Sequence, residues 1–241
     1  MTDKSRGGMS RVIRAFTEAQ IWVHKHLIHF TAIFLITGLP LINERAFWWV
    51  AYALGSPLNT LLSSTSAVSV GLEVARMLHR LAALGLAMVL IPYFFYELSH
   101  AGKLHIWPEE WSFSAFKRGV KELVDYYIHK RKAEFGKYNL GQKAWIWIVI
   151  FGTLWMYITG LIMWFRGYFS TGAYEMAHLL HDIGFYLAVC GLVVHVYLAT
   201  MIPEHRVFAH AMFRTGTIDE EIVKEKHPRW YKKLNEEEIS S

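Results

Sequence analysis

Residues 144–165 run for twenty-two positions without a charged side chain or a histidine. Folded as a helix at about 1.5 Å of rise per residue, that stretch crosses the roughly 30 Å hydrocarbon layer of a bilayer. Lipid offers the backbone no hydrogen-bond partners, so a chain built around such a segment is confined to membrane helices. Three further stretches qualify. They are residues 21–42, residues 75–96, which open on Arg76, His79 and Arg80, and residues 177–202, which hold His178, His181, Asp182 and His195. The expected fold is all-α, an integral membrane four-helix bundle. Residues 47–62 are apolar but short and interrupted by Gly55, Pro57 and Asn59, which predicts an interfacial or re-entrant segment rather than a fifth crossing.

Charge orients the four crossings. Segments 1–20, 97–143 and 203–241 then share one side of the membrane and carry 20 of the 25 Lys and Arg residues, while the opposite loops, 43–73 and 166–176, carry one each. The positive-inside rule predicts that both termini are cytoplasmic, and a fifth crossing would send two of the three basic segments outside. The expected organisation is a cytoplasmic N-terminal segment 1–20, a transmembrane domain 21–202 with a cytoplasmic loop 97–143, and a cytoplasmic tail 203–241. Within the loop, residues 114–132 read as an amphipathic helix at the inner surface. This alternation of apolar and charged blocks is why mean hydropathy is only +0.22 although 54% of the residues are hydrophobic.

A single cysteine, Cys190, excludes an intrachain disulfide, a Cys-type zinc site, an iron-sulfur cluster and covalent C-x-x-C-H haem attachment. Thirteen histidines are therefore the candidate ligands. His181 and His195 lie fourteen residues apart, about 21 Å of rise, and fourteen steps of 100° return the second ring to within about 40° of the first. One helix can thus present two ligands, one per leaflet. His79, at the outer end of its helix, matches His181 in depth, and His24, at the inner end of its own, matches His195. Two depth-matched pairs suit two bis-histidine b-type haems stacked across a membrane. Zinc or copper would want carboxylates or thiolates nearby, and only Asp182 is present. A proton relay or transporter would want acidic residues inside the spans, which have almost none. His178 is turned about 100° from the ligand face, and His26 points away. His29, a turn deeper than His24 and read as lying on a similar face, is the alternative first-helix ligand. His100, His105, His129, His205, His210 and His227 read as solvated or interfacial. Asn139 to Gln142, ahead of the third span, read by pattern as a helix entry capped by Asn139.

Several motifs resemble one family. Lys137-Tyr138-Asn139-Leu140-Gly141-Gln142-Lys143 is similar to the K-Y-N-x-G-Q-K signature of the gamma subunit of membrane-bound respiratory formate dehydrogenase, a cytochrome b that reduces quinone. His24 followed by Thr37-Gly38-Leu39-Pro40 resembles that family's first helix, Leu78-His79 its second-helix ligand, His181 and His195 its fourth-helix pair, and His227-Pro228-Arg229-Trp230-Tyr231 its tail. Gln20, Lys25 and Lys226 depart from the pattern. The resemblance implies an outer haem b on His79 and His181, an inner one on His24 and His195, and a quinone pocket formed by Asn139, Gly141 and Gln142. A glycine lets the backbone approach a ring, and Asn and Gln amides can bond a quinone carbonyl. It further implies menaquinone or ubiquinone as substrate, an iron-sulfur subunit and a molybdenum- or tungsten-containing catalytic subunit as partners, with higher oligomers possible, and the bacterial inner membrane as the location. Membrane lipid is the remaining expected partner, and nucleic acid is not. Formate chemistry itself has no residues on this chain. Cytochrome subunits of hydrogenases and of thiosulfate or polysulfide reductases share the histidine spacing, and a haem-free membrane anchor is the alternative from a different class.

Overall fold

The computed structural model describes residues 11–62, 66–100, 104–108 and 110–240, so the first ten residues of the expected N-terminal segment lie outside the described residues. The chain divides into two units, Glu18–Ser99 and Met1–Thr17 with His100–Ser241.

In the first unit, α1 (Glu18–Ile42) and α3 (Ala67–Leu98) run antiparallel. Their alignment is read from paired contacts: Gln20 Nε2 donates to the Glu97 carboxylate at 3.4 Å, Phe34 packs its ring on His79 at 4.9 Å, and Phe30 lies against Gly85. Between them in sequence, α2 (Glu44–Leu62) kinks at Phe47 and then runs antiparallel along the first turns of α3. Residues 47–62, expected to be interfacial or re-entrant, form the body of this helix, which is not among the long apolar spans. Gly55 lies against α3: a Cβ there would strike the Ala67 carbonyl, and one on Gly71 would strike the carbonyl of Ala51. The glycine that suggests a breaker in sequence serves a close backbone approach. α3 is 32 residues long and starts ahead of the expected span, so α2 packs on the overhang.

The second unit contains α4 (Phe113–Tyr127), α5 (Leu140–Trp164), α6 (Thr171–Met201), α7 (Pro203–His210), α8 (Glu220–Lys226) and α9 (Pro228–Ser240). α5 and α6 form an antiparallel hairpin. Ser170 opens α6 by accepting from the Ala173 N–H at 3.2 Å, and Trp155 Nε1 donates to the Leu180 carbonyl at 3.0 Å across the pair. Pro203 ends α6, because its ring nitrogen has no hydrogen to donate back. The Leu198 and Thr200 carbonyls in its last turn are taken up by side chains of α7, His205 Nδ1 at 3.1 Å and Arg206 Nε at 2.9 Å. α4 is shorter than the expected 114–132, and Lys130 just beyond it has a positive φ of 54°.

The tail is folded rather than merely charged. β2 (Thr217–Asp219) pairs antiparallel with β1 (Val12–Arg14), Ile13 opposite Ile218. Ile218, Val223 and Trp230 are buried in the same unit as Ala15, Phe16 and Phe135. Arg229 makes a bidentate pair with Glu122 at 2.7 Å and also donates to the Glu134 carbonyl, while Arg11 pairs with Glu238 at 2.8 Å. A few apolar residues at helical spacing anchor a segment whose average composition is polar.

Among the described residues, four helices are long and apolar enough to cross a membrane: α1, α3, α5 and α6. At most 17% of each apolar window is buried within the chain, so most of that surface faces lipid, cofactor or partner. The chain thus has the helices of a multi-pass membrane protein.

Candidate functional site

Two of the histidines expected to bind iron, His79 and His181, are held in the same way. In the first unit Thr37, 1% exposed, donates its hydroxyl hydrogen to the Ile33 carbonyl at 2.7 Å. Its oxygen lies 2.9 Å from His79 Nδ1, and with the hydroxyl hydrogen already committed it can only accept there. His79 therefore carries its proton on Nδ1 and keeps the Nε2 lone pair for a ligand. The second unit repeats the device. Thr159 donates to the Trp155 carbonyl at 2.9 Å and accepts from His181 Nδ1 at 2.9 Å. Beside it, Gly160 lies against the ring, where a Cβ would come into ordinary contact, 3.4 Å from His181 Cε1.

His195 is positioned differently, by Trp145, whose ring stacks on the imidazole at 5.1 Å between centroids and 12° between planes. Gly191 admits that indole, because a Cβ there would lie 2.8 Å from it. His24 is half-buried on α1, whereas His29 is exposed. Five residues at 100° each place His29 about 140° round the helix from His24, so the two do not share a face. His26 is turned back, its Nδ1 2.8 Å from the Trp22 carbonyl. His178 pairs with Asp182 at 3.5 Å, off the His181 face as expected. Thr37, level with His79, is thirteen residues from His24, about 20 Å along α1, and His181 is about 21 Å from His195 along α6. Each unit thus offers two imidazoles at the same axial separation. For His79 and His181 the donor set fits haem iron, since a threonine oxygen takes the Nδ1 proton and Nε2 is then the nitrogen that can bind a metal.

Asn139 and Gln142 form a capping box at the start of α5. Asn139 Oδ1 accepts from the Gln142 N–H at 2.9 Å, and Gln142 Oε1 accepts from the Asn139 N–H at 3.0 Å. Both also line a cavity with Tyr127, Phe135, His205 and His227. The cap uses the oxygens of the two amides and leaves their NH2 groups as donors, Asn139 Nδ2 lying 3.5 Å from the Tyr127 hydroxyl. Gly141, expected in this pocket, is exposed and not part of the cavity wall. His205 and His227, expected to be solvated, are. His227 is buried, donates from Nδ1 to the Gly136 carbonyl at 2.6 Å, and burial lowers its pKa from the ordinary histidine value. Sequence spacing could not find these two, because α7 and the tail reach the cavity only through folding.

The family described as prokaryotic cytochrome b561 matches residues 15–214 of this chain. The chain is 28% identical over 226 residues to the formate dehydrogenase cytochrome b556 subunit of Haemophilus influenzae, covering 92% of this chain and 83% of that protein. It is 27% identical over 122 residues to the cytochrome b556(Fdn) subunit of the nitrate-inducible formate dehydrogenase of Escherichia coli, 49% of this chain and 54% of that one. Against the cytochrome b556(fdo) subunit of a formate dehydrogenase from the same organism it is 26% identical over 120 residues, 48% and 54% of the two chains. The matched stretch spans about half the length of the two E. coli relatives.

Proposed function

The chain belongs to the prokaryotic cytochrome b561 family, and from that premise we propose that it is the membrane cytochrome b subunit of a formate dehydrogenase, carrying electrons from an iron-sulfur partner to quinone. His79 and His181 would hold one haem b, and His24 and His195 a second. One-electron transfer is the chemistry that haem b supplies when bound. The protein's part is to orient and to exclude. Thr37 and Thr159 hold the ring protons of His79 and His181 on Nδ1, and Trp145 fixes the plane of His195. Asn139 and Gln142 present amide donors to the carbonyl of menaquinone or ubiquinone in the cavity at the head of α5. Trp145, six residues further along α5, stacks on the His195 ring. The catalytic subunit, holding molybdenum or tungsten, and the iron-sulfur subunit are separate chains. With both termini in the cytoplasm, quinone reduction at this end draws its protons from the cytoplasm. Electrons arriving from the opposite side then build membrane potential without a proton channel.

The duplicated Thr–His hydrogen bond carries this reading, because a helix gains nothing structural from fixing one tautomer on two membrane histidines. A pyridine-haemochrome assay on the purified chain tests it: two b-type haems per chain are expected, and His181→Ala should lose one while sparing the other. A chain that binds no haem is a passive anchor, and one haem rejects the paired assignment.

A further inference from the structure

The cavity that holds Asn139 and Gln142 has a second wall, which amide recognition of a quinone leaves without a role. Tyr127, at the end of α4, places its hydroxyl 2.7 Å from His205 Nε2 on α7. The other ring nitrogen of His205, Nδ1, is 3.1 Å from the Leu198 carbonyl in the last turn of α6. A carbonyl only accepts, so Nδ1 carries a proton, and in neutral His205 the Nε2 lone pair accepts from Tyr127. The hydroxyl also meets Asn139 Nδ2 at 3.5 Å, which brings it to the amide proposed to hold the quinone carbonyl. His205 is half-buried, open enough to exchange with solvent, while the other cavity histidine, His227, is wedged between the Phe208 ring at 4.7 Å and the Gly136 carbonyl. One histidine of the cavity is a lock, and the other heads a hydrogen-bonded line of His205, Tyr127 and Asn139.

We propose that Tyr127 is the proton donor to the quinone oxygen and that His205, acting through it, supplies the proton from the cytoplasmic side. The inference rests on the quinone reading of this cavity. Quinone reduction to quinol takes up two electrons and two protons. The electrons are those delivered by the proposed electron transfer, so no further reductant is needed. Tyr127 delivers one of the two protons, its O–H bond breaking as an O–H bond forms on the quinone oxygen it faces, while the opposite oxygen takes the second proton from water. Protonated His205 gives its Nε2 proton to the Tyr127 oxygen, and His205 is left neutral with Nδ1–H still on the Leu198 carbonyl. A proton from cytoplasmic water then restores the imidazolium. Asn139 and Gln142 bind the ring in this scheme, while Tyr127 performs the acid step. Affinity and rate therefore belong to different residues.

The test uses the full haem-loaded chain, reduced with dithionite and mixed rapidly with menadione or decylubiquinone, with haem oxidation as the rate readout. Menadione affinity is read separately from quenching of tryptophan fluorescence. Tyr127→Phe keeps the ring that packs on Tyr126 at 5.0 Å, and is expected to slow the maximal rate by roughly 10²-fold, the size of a general-acid contribution, with menadione affinity and haem spectrum unchanged. His205→Gln should also slow the rate at unchanged affinity, while His210→Gln, exposed on the same helix, should match the unmodified chain. Asn139→Ala should weaken menadione binding. A Tyr127→Phe variant that binds menadione and oxidises its haems at full rate overturns the proposal, as does one whose rate loss only follows lost affinity. If menadione quenches nothing and Asn139→Ala changes neither quantity, the quinone reading of the cavity falls, and the relay with it.

Discussion

At the scale of single residues, function rests on which nitrogen of an imidazole holds a proton. The Thr37–His79 and Thr159–His181 pairs settle this by the same chain of donors: a backbone carbonyl takes the hydroxyl hydrogen, and the hydroxyl oxygen takes the ring N–H. Thr159→Val removes the acceptor at nearly constant volume. Haem affinity at that site is expected to fall roughly 10- to 100-fold, as for loss of other partners of metal-bound histidines, while Thr159→Ser restores it. Titrating haem into the apo chain, followed by its absorption, measures this, and a Val variant of unaltered affinity would remove the orienting role. Histidine positions are legible from spacing because a ligand advertises itself by polarity inside an apolar span. The threonines are not, since one at helical spacing reads as bonded to its own turn and its partner lies on another helix. The choice of His24 over His29 likewise follows from 100° steps once their faces are compared.

Among the elements, α5 shows how one short motif is equipped for two tasks. A cap requires acceptor oxygens facing the first N–H groups, and quinone recognition requires donors. The amides of Asn139 and Gln142 have both. Gln142→Glu separates the tasks: its carboxylate can still accept from the Asn139 N–H and is favoured at a helix N-terminus, but the donor is gone. Thermal stability should hold, and quinone-dependent haem oxidation should fall with both haems present. Equal loss of stability and activity would return the motif to capping alone. Asn139→Ala, by contrast, should also cost about 1 kcal/mol of stability by melting, as cap removal does. In α2 the meaning of Gly55 and Gly71 changes from breaker to close contact only when α3 is in place.

For the whole molecule, orientation and the folded tail carry the predictions. The basic asymmetry of the loops predicts that a reporter fused after Ser241 is active only on the cytoplasmic side; periplasmic activity would invert the assignment and the direction of proton uptake. The tail should also make stability acid-sensitive. His105 has its pKa held down at about 4 by burial, with Lys137, Lys233 and Lys143 lowering it and Glu237 opposing them, and burial lowers His227 as well. Both are neutral when folded at pH 7, and their unfolded values are near 6.5. Between 6.5 and the folded values the unfolded chain binds more protons, so the stability present above pH 6.5 is lost as pH falls. Scanning fluorimetry should give a lower Tm at pH 5 than at pH 7, with the difference reduced in a His105→Gln, His227→Gln double variant. His105 is half-exposed and screened by solvent, so His227 should account for more of the change. A difference that the double variant leaves unchanged would locate the acid sensitivity elsewhere.

Hydropathy and spacing determined the long helices and singled out the four candidate ligand histidines, because a bilayer permits little else for twenty apolar residues and makes every imidazole inside it conspicuous. The motif from Lys137 to Lys143 marked the start of α5 in the same way. Tertiary structure alone decided the rest: the threonines behind the ligands, the helix α2, the burial of His227 and the line from His205 through Tyr127 to Asn139. The physical reason is common to all of these. Each depends on a hydrogen bond or a close backbone approach between segments distant in sequence, and a donor declares its acceptor only when both are fixed in space.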